Sequence, residues 1–253
     1  MTMRTTAELD IASRITEHKL SGEPALRYFV LAPRLAPPTN LVVSVHGVSR
    51  NVAEHLTAFA AAAERTRSLL VAPLFEEVAF RGYQRLGWAD ARARADQAAL
   101  AVVDEVLAAR TGVAPQPSWF GFSGGGQFVH RLAMAHPGRV GCYAVAAAGW
   151  YTLPDPTRAW PRGTDARAHD IDLDEDAFLR LRALVLVGSE DRERDAALRR
   201  SRWLDRHQGP TRIDRAATFV DAVRARARAR GIPPRIALAR IAGATHSFAS
   251  AAE

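Results

Sequence analysis

One serine constrains the possible folds of this chain more than any other residue. It is set between glycines, where an apolar strand pattern meets a helix pattern. Ser123 lies in the run GFSGG at 121–125. The flanking glycines let neighbouring backbone approach closely, and the sharp turn that results forces the serine into a strained conformation that exposes its hydroxyl. Residues 119–122 predict a buried strand, and residues 127–136 predict a helix that ends before Pro137. The pattern predicts a nucleophile elbow.

The same short pattern also fits a glycine-rich turn with an incidental serine. A serine hydroxyl is a poor nucleophile at neutral pH, so an elbow indicates catalysis only together with a histidine base, an orienting acid and an oxyanion hole. The rest of the sequence therefore decides between the two interpretations.

An acidic turn follows a later apolar strand. The strand spans 183–187, and it runs directly into Gly-Ser-Glu-Asp at 188–191. Catalytic groups gather at the carboxyl ends of strands in open α/β sheets, so Asp191 is the predicted acid. Glu190 and Asp195 are alternatives, and all three residues also fit a solvated turn before a charged helix.

A histidine follows the last predicted strand, which spans 235–241. The short loop GATH at 243–246 places His246 after this strand, and His246 is the predicted base. The chain order serine, acid, histidine is the one that nucleophile-elbow enzymes show. The other histidines with weaker cases lie in a polar N-terminal stretch, on the elbow helix, in an acidic segment or on predicted helix surfaces: His18, His130, His136, His169, His55 and His207.

The oxyanion hole needs two backbone amides, one from the residue after the nucleophile and one from an early loop at a strand end. Gly124 supplies the first amide. The apolar strand 41–45 opens into HGVSRN at 46–51, where a glycine lets the backbone bend, and the Val48 amide is the predicted second donor.

These motifs together resemble the α/β-hydrolase superfamily, over nearly the whole chain. They are HG at 46–47, GFSGG at 121–125, VGSED at 187–191 and GATH at 243–246. The HGVSRN turn, the FSGGGQF run and the arginine-rich stretch after the acid are similar to an esterase branch that includes polyhydroxyalkanoate-depolymerase-like and dienelactone-hydrolase-like proteins. The resemblance implies a triad of Ser123, His246 and Asp191 that cleaves carboxylic esters through an acyl-enzyme.

Alternating strand and helix patterns predict an α/β fold with a mostly parallel central sheet flanked by helices. The chain has 253 residues, 48% of them hydrophobic, which is enough for one large core. The proline clusters are too short for an interdomain linker, so residues 1–253 are expected to form a single domain. Further strands are predicted near 27–31, 69–73 and 141–148, and helices at 52–67, 91–110 and 213–230.

Residues 150–180 interrupt this alternation with three prolines, several aromatic residues and an acidic run. Because the segment follows a strand end on the catalytic side, we expect a small lid-like insertion or pocket wall, with Trp150 and Tyr151 as substrate-binding candidates. A surface loop with its own small cluster also fits this composition.

A second candidate pocket wall spans 75–88 and contains Trp88, the third substrate-binding candidate. Arg81 and Arg85 in this segment fit the binding of a substrate carboxylate. They fit a solvated loop equally well.

The charge balance invites a nucleic-acid hypothesis, since 34 basic residues against 27 acidic ones give a net charge of +7, and Lys19 is the only lysine. The arginines are dispersed, however, and no nucleic-acid motif accompanies them, so no nucleic-acid partner is expected. No secretory signal or bilayer-spanning stretch is recognisable, which predicts a cytoplasmic protein without a membrane partner. Neither metal-ligand spacing nor a phosphate or dinucleotide motif is present, so no metal and no cofactor are expected.

The sequence therefore predicts a serine esterase acting on a small-molecule ester, with homo-oligomerisation left open. An acyltransferase with the same three residues is an alternative. A non-catalytic binding protein is another, and the distance between the Ser123 hydroxyl and His246 discriminates it from an enzyme.

Overall fold

The computed structural model describes residues 6–22, 24–87, 93–167 and 173–252. Its strands are β1 Thr16–Leu20, β2 Leu26–Leu31, β3 Asn40–Val45, β4 Ser68–Leu74, β5 Ser118–Phe122, β6 Cys142–Ala146, β7 Arg182–Gly188 and β8 Ile236–Ile241. Its α-helices are α1 Thr6–Ser13, α2 Val52–Thr66, α3 Ala95–Ala108, α4 Gly124–Ala135, α5 Glu175–Arg180, α6 Arg202–His207, α7 Arg212–Ala229 and α8 Phe248–Ala252. Two 3₁₀ turns lie at Tyr83–Arg85 and Pro137–Arg139.

The eight strands form one sheet in the order β1-β2-β4-β3-β5-β6-β7-β8. Strand β2 pairs antiparallel with β1 and β4, and the neighbours from β4 through β8 pair parallel. The mostly parallel, helix-flanked sheet predicted from the sequence is thus confirmed. Because parallel strands point the same way, the loops that follow β3 to β8 meet at one edge of the sheet.

Helices α3, α4 and α7 pack on one face of the sheet, and α2 packs on the other face against β4, which explains the continuous apolar run of that strand. In β4, Leu69 and Val71 join the large core formed with α3, α4 and α7, whereas Leu70 and Ala72 pack on the other face against α2. This alternation follows from the two-residue period of a strand.

The sequence analysis did not foresee every described element. Strand β1 and the short helices α1, α5 and α6 were not predicted, because short polar segments carry too little periodicity. Helix α4, Gly124–Ala135, begins directly after Ser123 and contains the predicted helical stretch except for His136; its first three residues are glycines, which have poor helix propensity but allow close packing. Helix α5 lies within the expected 150–180 insertion. None of the described helices is long and apolar enough to cross a membrane.

Candidate active site

Ser123 occupies the tight turn between β5 and α4. Its φ of 53° and ψ of −110° place a non-glycine residue in a strained region of backbone space. A Cβ at Gly121 would lie 2.2 Å from the Gly125 carbonyl oxygen, and a Cβ at Gly125 would lie 2.0 Å from the Val45 carbonyl oxygen. Both glycines are therefore required by backbone contact, as the elbow pattern predicts.

The structure brings His246 to this serine. Ser123 Oγ lies 3.1 Å from His246 Nε2, within hydrogen-bond distance. The imidazole stacks on the Phe122 ring at a centroid distance of 5.3 Å and an interplanar angle of 21°. Phe122, the last residue of β5, thus contacts the base, and the next residue in the chain carries the hydroxyl.

Of the three candidate acids, Asp191 contacts the histidine. Asp191 Oδ2 accepts a hydrogen bond from His246 Nδ1 at 3.0 Å. Glu190 is exposed and lies against Ser189 and Arg192 instead. The Ser123–His246–Asp191 set is in contact, and the catalytic roles of its members stay predictions.

Asp191 also has a second partner that the sequence analysis did not identify. Arg212 Nη1 donates to Asp191 Oδ1 at 3.0 Å, and both residues are buried, with Asp191 only 2% exposed. The same guanidinium donates to both oxygens of Asp195 at 2.9 Å, and these hydrogen bonds lower the pKa of that carboxyl. One oxygen of Asp191 thus faces the base and the other faces a buried cation.

Arg212 is held in place by the start of α7. Thr211 caps this helix: its hydroxyl accepts from the Asp214 amide at 3.2 Å, while the Asp214 carboxylate accepts from the Thr211 amide at 3.1 Å. The Thr-x-x-Asp spacing signals a helix start, but nothing local predicts that the first residue reaches the acid loop.

His46 fixes the turn that leads to the predicted oxyanion donor. Its Nε2 accepts from the Phe75 amide at 3.0 Å, so its Nδ1 carries the proton and donates to the Gly47 carbonyl at 2.6 Å. The Tyr83 hydroxyl donates to the His46 carbonyl at 3.0 Å. Burial lowers the pKa of His46 to about 4, so the ring is neutral at pH 7.

The two predicted oxyanion donors lie side by side. The Val48 side chain is 3.4 Å from the position of a Cβ at Gly124, and a Cβ at Gly47 would lie 3.4 Å from Ser123 Cβ. The Gly124 amide is in the first turn of α4, where amides have no acceptor within the helix. The turn after β3 therefore packs directly on the elbow, and the oxyanion role of Val48 and Gly124 stays a prediction.

The three substrate-binding candidates have different placements. Trp150 lines a cavity at the carboxyl edge of the sheet. Tyr151 has no exposed surface and stacks on Phe219 at 4.5 Å, so it does not reach a cavity wall. Trp88 lies outside the described residues. In the preceding loop, Phe80 and Tyr83 belong to the core instead of forming a pocket wall.

One histidine expectation was wrong. His55, predicted on a helix surface, is fully buried, with its Nδ1 2.8 Å from Ser44 Oγ and its ring stacked on Phe248 at 3.8 Å. It faces the sheet because α2 packs there, and burial lowers its pKa to about 3. His130 on α4 is also buried, between the Gly126 carbonyl and the Thr152 amide.

No family model matches the chain, and no curated protein matches it. Several solved structures do match it. Poly(aspartic acid) hydrolase-1 from Sphingomonas sp. KT-1 is 23% identical with a TM-score of 0.81, over 93% of this chain and 94% of that one. LpqC, a poly(3-hydroxybutyrate) depolymerase from Bordetella parapertussis, is 28% identical with a TM-score of 0.79, over 96% and 89%.

A more distant match has the same overall architecture. An S-formylglutathione hydrolase from Agrobacterium tumefaciens is 14% identical with a TM-score of 0.62, over 94% of this chain and 89% of that chain. Two of these three proteins are hydrolases by name and the third is a depolymerase, and the likeness extends over nearly the full length of each chain.

Proposed function

Because the chain has the α/β-hydrolase fold, we propose that it is a serine hydrolase that cleaves carboxylic esters. One observation carries this proposal: Ser123 Oγ lies 3.1 Å from His246 Nε2, whose other nitrogen lies 3.0 Å from Asp191. A hydroxyl, a base and an acid in this order activate a serine nucleophile. The names of the structural neighbours, two hydrolases and a depolymerase, support hydrolytic activity.

In the proposed acylation step, His246 removes the Ser123 proton while Oγ attacks the ester carbonyl carbon. The carbonyl electron pair moves to oxygen, and the Val48 and Gly124 amides stabilise the resulting negative charge. Collapse of this intermediate breaks the bond to the alcohol, which leaves with the proton from His246. The product is an ester between the substrate acyl group and Ser123.

In the proposed deacylation step, His246 removes a proton from water, which attacks the acyl-enzyme. Collapse of the second intermediate releases the carboxylic acid and returns the proton to Ser123. Asp191 accepts a hydrogen bond from His246 Nδ1 and stabilises the imidazolium in both steps. Arg212, on the other oxygen of Asp191, keeps that buried carboxylate compensated and oriented.

The distance between Ser123 and His246 argues against the binding-protein alternative, which requires a histidine turned away from the serine. Acyl transfer uses the same residues, and it differs only in the acceptor. Adding an alcohol acceptor to the assay distinguishes the two reactions, because transfer yields a new ester and hydrolysis yields the free acid.

The experiment is steady-state hydrolysis of 4-nitrophenyl esters of increasing chain length by the wild type and by Ser123→Ala, His246→Ala and Asp191→Asn. We expect kcat to fall about 10⁴-fold or more in the first two variants, because neither retains an activated nucleophile. Ser118→Ala is the matched control, since Ser118 begins β5, at the opposite end of that strand from the turn that holds Ser123. Hydrolysis by folded Ser123→Ala at the wild-type rate would overturn the proposal.

A further inference from the structure

The edge of the sheet where the loops after β3 to β8 meet also holds a cavity of about 290 Å³, which is built by the loops that follow β4, β6 and β7. Ser123 follows β5, so the cavity and the nucleophile lie at the same edge of the sheet. We call it the arginine cavity, and the residues that line it include Arg85, Trp150, Trp160, Arg162, Arg199 and Leu204. None of the described residues that line it is acidic.

Two of its arginines are held by aromatic rings. The Arg162 guanidinium lies 4.8 Å from the centroid of the Trp203 ring, and the Arg199 guanidinium lies 5.8 Å from that of Trp150. Among the described residues, neither has a carboxylate partner. Stacking orients a guanidinium without using its N–H donors, which stay available to an anion.

A further guanidinium, that of Arg131, lies behind the cavity wall. It is fully buried, 4.1 Å from the centroid of the Trp150 ring. Its hydrogen bonds go to neutral oxygens, those of the Thr152 hydroxyl and the Gln84 and Gln127 carbonyls. Its Nη2 has no hydrogen-bond partner in the described part of the chain. Burial, reinforced by the nearby charges of Arg85 and Arg199, lowers the pKa of Arg131.

Arg131 and the loop that carries Arg85 are linked by contacts to Gly124, the residue that follows the nucleophile. Arg131 Nη1 donates to the Gln84 carbonyl at 2.6 Å and to the Gln127 carbonyl at 3.0 Å, in the first turn of α4. The Gln84 side chain lies 3.3 Å from the position of a Cβ at Gly124, the residue after Ser123. The loop that carries Arg85 therefore packs against the predicted oxyanion donor.

We propose that the arginine cavity binds a carboxylate carried by the substrate, so that the preferred esters have a free carboxylate on the acyl chain. This inference rests on the proposed function. The positive charge selects an anion, and the indole rings and Leu204 provide apolar surface for the carbon chain between that anion and the ester. A planar carboxylate matches the forked donors of arginine.

The first test compares matched ester pairs. Mono(4-nitrophenyl) esters of adipic, suberic and sebacic acids carry a terminal carboxylate, and the 4-nitrophenyl esters of hexanoic, octanoic and decanoic acids have equal chain lengths without it. We expect the wild type to favour the anionic ester about tenfold or more in kcat/KM at the best chain length. Spontaneous hydrolysis is subtracted, and the ionic strength is held constant.

The variants Arg162→Gln and Arg199→Gln should each lower kcat/KM for the anionic ester about tenfold, because each removes one charge-assisted hydrogen bond. The ratio of kcat/KM for the anionic ester to that for the neutral ester should therefore fall about tenfold in both variants. Arg228→Gln is the matched control, since it removes the same charge from an exposed position on α7 that does not line the cavity. The proposal is overturned if the wild type shows no preference, or if the variants slow both esters equally.

The second test needs no catalysis. The suberate dianion is titrated into Ser123→Ala protein, and tryptophan fluorescence reports binding because Trp150 and Trp160 line the cavity. Binding should be saturable, about tenfold weaker in each cavity variant and unchanged by Arg228→Gln. Equal binding to all variants, or none to any, would contradict the proposal. If the wild type hydrolyses no ester but Ser123→Ala binds suberate in this pattern, only the proposed function is refuted. If the wild type hydrolyses esters without preference for a carboxylate and Ser123→Ala does not bind suberate, only the cavity proposal is refuted.

Discussion

Replacing Arg212 by leucine tests how the acid of the proposed triad is held. Arg212 donates to Asp191 at 3.0 Å, and it also donates to both oxygens of Asp195. Leucine fills part of the same volume but leaves the Asp191 carboxylate, 2% exposed, without a cation. Asp195 is partly exposed and regains water, so the main cost lies at Asp191.

The expected losses of stability and of kcat follow from these contacts. Removing one partner of a buried ion pair costs about 3–5 kcal/mol of unfolding free energy, because the remaining charge is uncompensated. The hydrogen bond from Arg212 to Asp191 is charge-assisted, and such bonds contribute about 1.5–3 kcal/mol. If that orientation is lost in the transition state, kcat falls roughly 10- to 150-fold.

The assay combines urea unfolding with ester hydrolysis at a temperature where the variant stays folded. A positioning role predicts a lower kcat with little change in KM, and partial rescue by Arg212→Lys, which restores the charge but not the forked donors. Arg228→Leu on the exposed part of the same helix is the control, and it should match the wild type in both measurements. A folded Arg212→Leu protein with kcat within twofold of the wild type would show that Arg212 does not position Asp191 for catalysis.

Two further predictions concern stability. His46 and His55 have folded pKa values lowered to about 4 and about 3, so below pH 6.5 the unfolded chain binds more protons. Each should cost about 1.4 kcal/mol per pH unit as the pH falls from 6.5 to 4, and His55→Gln should reduce the slope measured by urea unfolding. A flat profile would contradict this. Gly121→Ala should lose about 1–3 kcal/mol or more of unfolding free energy, because its Cβ would lie 2.2 Å from the Gly125 carbonyl oxygen. Gly138→Ala is the control, since no atom lies within 4 Å of its Cβ position, and it should unfold like the wild type. Equal thermal unfolding temperatures for the two variants would show that this contact does not require a glycine at 121.

The sequence predicts the elbow and the sheet because both depend on local chemistry. A glycine pattern such as 121–125 has few backbone solutions, and an apolar run such as 69–73 is buried on both faces of a parallel sheet. The loops after those strands then converge at one edge whatever their composition. The approach of His246 to Ser123 is a consequence of that convergence.

The remaining details depend on contacts distant in sequence. Glu190 and Asp191 are adjacent and chemically alike, and only the direction of each side chain at the end of β7 separates them. Arg212 contacts Asp191 from the start of helix α7, 21 residues further along the chain. His55 is buried by Phe248 of α8, near the other end of the chain. The arginine cavity collects side chains from three loops, so no window of sequence contains it.

The central claim, that Ser123 is an activated nucleophile, is tested most directly by labelling with a fluorophosphonate probe, followed by peptide mass spectrometry. We expect about one probe per wild-type chain, attached to the peptide that contains Ser123, and no labelling of Ser123→Ala or His246→Ala. The Ser118→Ala control should be labelled like the wild type. If well-folded wild-type protein takes up no probe, or takes it up at another residue, Ser123 is not an activated nucleophile.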